Sequence, residues 1–159
     1  MAGGTGTHTE LSDNLIAQLL QKLRGGPCRA WSQNMRVQVS ATLYTYPDVV
    51  VGCRERQFLD ASRDTLLNPV LLIEVLSDST EACDRGKKFA NYRTLESLQE
   101  YVLVSQDRVQ VERYQRQPGG QWLLSAASRL EDSVPLNSVG CELQLADIYH
   151  DVHVDSGQL

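Results

Sequence analysis

The heptapeptide Val70-Leu-Leu-Ile-Glu-Val-Leu76 limits the fold more than any other stretch of this chain. Its apolar residues do not alternate with polar ones, and it is short, so it reads as a strand covered on both faces, as in the middle of an α/β sheet. Glu74 stands inside it. A second carboxylate, Asp48, directly precedes Val49-Val-Val51 in the other strongly apolar stretch. A buried carboxylate that stays ionised is costly unless a cation, hydrogen-bond donors or a metal accompany it. Two such groups brought together by strand pairing repel, and each raises the other's pKa. A divalent ion relieves both problems. Mg²⁺ or Mn²⁺ prefers hard oxygen ligands, whereas zinc favours the His and Cys clusters that are missing from this pattern.

The flanking sequence predicts a helix over residues 12–24, with Leu15, Ile16, Leu19, Leu20 and Leu23 on one face and Ser12 as its N-cap. Gly25, Gly26 and Pro27 end it. Strands are expected over 35–39 and 44–51, with a polar loop or irregular helix over 54–64. Asp78 and Glu81 resemble a capping box that opens a helix running to about Thr94. Further strands are expected at 101–105 and around Val109 to Arg113, and Pro118-Gly-Gly120 marks a hairpin turn into a strand over 121–125. With 159 residues the chain is one domain's worth. The order of elements predicts a single α/β domain with a mixed sheet over 12–150, between a flexible lead at 1–11 and a frayed tail at 151–159.

Several function classes are disfavoured. The net charge of -5 has the wrong sign for tight unspecific binding to polyphosphates. No apolar run is long enough for a membrane span, and the Gly/Thr-rich start does not read as a secretory signal, so a cytoplasmic location without a membrane partner is expected. The 4 cysteines, Cys28, Cys53, Cys83 and Cys141, contain no C-x-x-C pair and read as reduced thiols in core positions. There is no Gly-rich phosphate loop and no nucleophile elbow, and His150 and His153 lie too near the tail for a good metal site.

Within the predicted helix after Glu74, Asp84, Lys88 and Tyr92 fall at i, i+4 and i+8, on one face. If that face looks onto the strand, the Lys88 ammonium reaches the carboxylates. Gly86 in this helix suggests a close approach to its backbone. A metal held by two carboxylates beside a lysine suits phosphodiester hydrolysis, because metal and ammonium stabilise the developing negative charge. Arg85, Lys87 and Arg93 add a local basic patch for nucleic acid. The same residues allow blander roles: Glu74 paired structurally with an arginine, Asp48 marking a turn, Asp84 and Lys88 as a surface pair, Tyr92 as core.

Taken together, Tyr46-Pro-Asp-Val-Val-Val51, Asn68-Pro-Val-Leu-Leu-Ile-Glu-Val-Leu-Ser77, Ser79-Thr-Glu81, Asp84-Arg-Gly-Lys-Lys88, Tyr92 and Glu100-Tyr-Val-Leu-Val104 closely resemble the Uma-type family of bacterial putative restriction endonucleases, a branch of the PD-(D/E)XK nuclease superfamily. The resemblance implies a restriction-endonuclease-like fold, a mixed central sheet flanked by helices, and Mg²⁺- or Mn²⁺-dependent cleavage of DNA. Asp48 matches the first acid of the motif and Glu74 the second, with the backbone carbonyl of Val75 as a further metal ligand. The motif lysine normally stands two residues after the second acid, where this chain has Leu76. Its counterpart is then Lys88 on the following helix, with Lys87 adjacent, while Asp84 and Tyr92 would support it. Asp13 and Asp78 stand where relatives often carry His and Pro. Relatives usually begin with a strand pair, so the short lead implies either a trimmed form or a fragment, whose missing start would expose a sheet edge, weaken the fold or disturb a dimer interface. Superfamily analogy adds a homodimer, and the acidic net charge implies weak, salt-sensitive DNA binding. Two rival functions are an inactive nucleic-acid-binding or regulatory module of the same fold, and a phosphodiesterase acting on RNA or nucleotides.

Overall fold

The computed structural model describes residues 5–154. The chain opens with helix α1 (Gly6–Leu23), followed by β1 (Arg29–Ser32), β2 (Arg36–Gln38), β3 (Tyr44–Thr45), β4 (Val49–Gly52), β5 (Thr65–Leu66) and β6 (Leu71–Leu76). Two short helices come next, α2 (Glu81–Arg85) and α3 (Lys87–Tyr92). Then follow β7 (Glu100–Ser105), β8 (Val111–Arg116), β9 (Trp122–Ala127), β10 (Ser133–Leu136), β11 (Cys141–Gln144) and α4 (Leu145–Ile148). The central sheet has 6 strands in the order β1-β4-β6-β7-β8-β9. Only β6 and β7 pair in parallel within it, so the sheet is mixed, and the helices flank it.

Strand alternation in β6 sorts its side chains between two cores. Leu71, Ile73 and Val75 pack with Leu11, Leu15, Leu19 and Leu23 of α1. Leu72 and Leu76 pack on the opposite face with Phe89 and Tyr92 of α3, Val37 of β2 and Leu66 of β5. Every residue of β6 is buried, Glu74 included, as a strand without alternation requires. Glu74 shares the face of Leu72 and Leu76, toward α3.

The structure departs from the sequence reading at several elements. Helix α1 starts at Gly6, capped by the Thr5 hydroxyl, which accepts from His8 N at 3.1 Å. Residues 6–11 of the expected flexible lead are therefore helical, and Ser12 lies inside the helix. Leu11 extends the Leu15, Leu19, Leu23 stripe back one turn, and its complete burial accounts for the earlier start. Leu20, expected on that stripe, is instead 38% exposed. The expected strand over 44–51 is two strands in different sheets, since β3 joins β2 and β5 while β4 joins the central sheet. Pro47, which lacks an N–H and disfavours continuous pairing, sits at the break. The capping box at Asp78 does not form: Thr80 precedes α2, and its hydroxyl accepts from Ser77 N at 3.2 Å.

The cysteine reading is corrected as well. Cys28 and Cys53 form a disulfide. Arg29 of β1 pairs with Gly52 of β4, and one step further along that antiparallel register the two cysteines face each other. Cys83 is free and exposed, and Cys141 is free and half-buried. At the C-terminus, Val152 and Val154 pack partly against the core, and residues 155–159 of the expected frayed tail lie outside the described residues. Among the described residues, no helix is long and apolar enough to cross a membrane.

Candidate active site

Strand register brings the two carboxylates together. Val49 of β4 lies opposite Ile73 of β6, so one more step of the antiparallel pairing sets Asp48 opposite Glu74. Asp48 lies just before β4, where its Oδ2 accepts a hydrogen bond from Val75 N at 2.8 Å. Val75 therefore contacts Asp48 through its backbone, while its side chain serves the α1 core.

Helix α3 supplies the next layer. The Lys88 ammonium stands 3.3 Å from Glu74 Oε2 and 3.0 Å from Asp84 Oδ1. Tyr92 donates its hydroxyl to the same Glu74 oxygen at 3.0 Å and lies 3.3 Å from Thr45 Oγ1. Tyr101 of β7 donates to the Asp84 carbonyl at 2.9 Å, which ties the end of α2 to the sheet. Asp84, Lys88 and Tyr92 thus share a face, although the expected single helix is broken at Gly86, whose φ is -102° and ψ is -88°. A Cβ on Gly86 would lie 3.1 Å from the Ala82 carbonyl oxygen, so the close approach at this glycine comes from its own preceding turn. Lys87, its neighbour, is exposed.

Burial dominates the electrostatics. It pushes the Glu74 carboxyl up to about 7, against the opposing pull of the Lys88 ammonium, while the nearby Asp48 and Asp84 charges add to the rise. Burial alone would lower Lys88, but Glu74 and Asp84 outweigh it, and the ammonium is held above its ordinary value. Burial and the adjoining Glu74 charge push Tyr92 up too, so its hydroxyl stays a donor.

Sequence reasoning missed His8. Its Nε2 is 3.1 Å from Asp48 Oδ1, and that hydrogen bond raises the imidazole pKa despite partial burial. The signals for it were Thr5 as an N-cap and Leu11 in phase with Leu15, which together place the start of α1 ahead of His8.

The expected basic patch is unevenly available. Arg85 is held by Glu81 at 3.0 Å and by Glu112, which leaves little of its charge for a ligand. Arg93 lies with its guanidinium 5.0 Å from the Phe89 ring centre, and Lys87 and Arg93 are both exposed.

With Glu74 ionised, the carboxylates of Asp48, Glu74 and Asp84 outnumber the Lys88 ammonium and, when protonated, the His8 imidazole, so the cluster then carries a surplus of negative charge. That surplus, with its mostly oxygen donors, fits a hard divalent cation. In the present side-chain arrangement, no group of three His, Cys, Asp or Glu among the described residues is gathered as metal ligands, and Glu74 turns Oε2 to Lys88 and Tyr92 instead.

A family model named Uma2 and described as "Putative restriction endonuclease" matches residues 1–147. Two relatives from Synechocystis sp. (strain ATCC 27184 / PCC 6803 / Kazusa) are described only as uncharacterized proteins. The protein slr1290 is 37% identical over 153 residues, covering 94% of this chain and 77% of the relative. The protein sll1609 is 37% identical over 126 residues, covering 79% of this chain and 71% of the relative. A crystal structure described as a putative nuclease belonging to DUF820 from Anabaena variabilis superposes with a TM-score of 0.75 at 18% identity, covering 96% of this chain and 85% of that one. At that identity the likeness is one of fold.

Proposed function

The chain belongs to the Uma2 family of putative restriction endonucleases, and from that premise we propose that it is a Mg²⁺-dependent endonuclease cleaving DNA phosphodiester bonds at Asp48, Glu74 and Lys88. The observation that carries this reading is the buried Glu74 carboxylate, set opposite Asp48 by strand register and held by Lys88 and Tyr92. Asp48, Glu74 and the Val75 carbonyl would hold the ion, which supplies a Lewis acid for the phosphate and a bound water of lowered pKa.

The protein's own residues do the remaining work. Lys88 offers a fixed positive charge where the phosphoryl oxygens gain negative charge, and its ammonium can hold the attacking water in line. Asp84 restricts the long lysine stem to one position. Tyr92 keeps the Glu74 carboxylate from swinging away and, because it stays protonated, adds no further negative charge. The exposed Lys87 and Arg93 would contact the phosphate backbone. With a net charge of -5 on the chain, that binding would be weak and salt-sensitive.

The test is nicking of supercoiled plasmid with and without Mg²⁺ or Mn²⁺. Wild-type protein should nick only with metal, and Glu74→Ala or Lys88→Ala should lower the rate by roughly 10²-fold or more while far-UV circular dichroism stays unchanged. Nicking that survives in folded variants overturns the site. DNA binding without nicking under either metal would instead favour a binding module of this fold.

A further inference from the structure

The proposed mechanism leaves one member of the cluster without a task. His8 belongs to the first turns of α1, and its backbone N–H is fixed by the Thr5 hydroxyl at 3.1 Å. Its Nε2 lies 3.1 Å from Asp48 Oδ1. The other oxygen of that carboxylate is engaged by Val75 N, so His8 faces the oxygen that the sheet does not use. The imidazole is only 18% exposed, and Asp48 only 12%, so helix and sheet together hold the two groups at the rim of the cluster.

We propose that His8 is a metal ligand through Nε2, beside Asp48 Oδ1, and that it biases the site toward Mn²⁺ over Mg²⁺. This rests on the reading of Asp48 and Glu74 as carboxylates that hold a divalent ion. Adjacent ligands about 2.1 Å from an octahedral cation stand ~3.0 Å apart, which is the spacing His8 and Asp48 already have. A ligand set of carboxylates, a carbonyl and waters suits Mg²⁺, whose small, reluctantly dehydrated ion demands oxygen. An imidazole nitrogen in that set shifts preference to a transition ion that accepts nitrogen and still tolerates carboxylates. Zinc, by contrast, would find one imidazole and no thiolate in the cluster.

The test uses the full chain and two readouts besides cleavage. Pulsed electron paramagnetic resonance of the Mn²⁺-loaded protein should show ¹⁴N modulation from a directly bound imidazole. That signal should persist in a His150→Gln, His153→Gln double variant, which removes the other histidines of the chain, and vanish in His8→Gln. Competition between the ions, followed by thermal midpoint, should show His8→Gln losing Mn²⁺ affinity by about tenfold or more with little change for Mg²⁺. The wild-type spectrum is decisive even if His8→Gln folds poorly. If both ions raise the midpoint but the spectrum shows no ¹⁴N modulation, His8 serves only to orient Asp48: the proposal fails while the carboxylate site stands. If neither ion raises the midpoint, both fail.

Discussion

Burial pushes the Glu74 carboxyl up to about 7, from an ordinary value of 4.5, and that shift ties the stability of the fold to pH. Between those two values the native protein holds a proton that the unfolded chain releases. The stabilising contribution is therefore complete below pH 4.5 and is lost as pH rises through about 7. Glu74→Gln keeps an acceptor for Tyr92 but cannot ionise. Without metal, the variant should be more stable than wild type at pH 8 by about 1–3 kcal/mol, with the gap closing toward pH 5. Thermal melts in chelator across that range check this, and parallel curves would mean that Glu74 is not desolvated in the native state. Among single residues, Asp48, Glu74 and Lys88 were legible because charge inside apolar sequence, and i, i+4 spacing, are local signals. His8 was not, because its partner Asp48 lies far away in the sequence and in another element.

At the scale of elements, the connection from β6 to α3 decides where Lys88 points. Sequence spacing gave the shared face of Asp84, Lys88 and Tyr92, but not the break at Gly86, which requires backbone torsions that no propensity reveals. Gly86→Ala should cost about 1 kcal/mol or more, because its Cβ would press on the backbone oxygen of Ala82, which already accepts from Gly86 N at 3.0 Å. The same substitution should reduce nicking more than stability, since it displaces Lys88 from Glu74. Urea melts paired with plasmid assays separate the two effects, and unchanged nicking in Gly86→Ala would show that the break does not position the lysine. The turn of the β8–β9 hairpin, by contrast, was legible, although both strands end a few residues later than expected: Gly119 and Gly120 take φ of 90° and 85°, which glycine adopts without strain, and Gln117 N donates to the Gln121 carbonyl at 2.7 Å.

At the scale of the molecule, the Cys28–Cys53 disulfide joins β1 to β4 across 25 residues. Closing a loop of that length should contribute about 3 kcal/mol. Reductant should therefore lower the melting midpoint by roughly 5–10 °C. A Cys28→Ser, Cys53→Ser double variant should match the reduced protein and ignore reductant; a wild-type midpoint unmoved by reductant would show that the bond contributes nothing. The sequence by itself determined the α/β class, the two apolar strands at the centre and the candidate carboxylates and lysine, because strand burial, helical periodicity and the cost of a buried charge act over a few neighbouring residues. Only the tertiary structure decided that Asp48 faces Glu74, that His8 closes on Asp48, that Arg85 is also held by Glu112, and that two cysteines meet. Those are contacts between elements distant along the chain or laid over different parts of the sheet, and strand register and helix docking, which fix them, are set by the packing of the whole core.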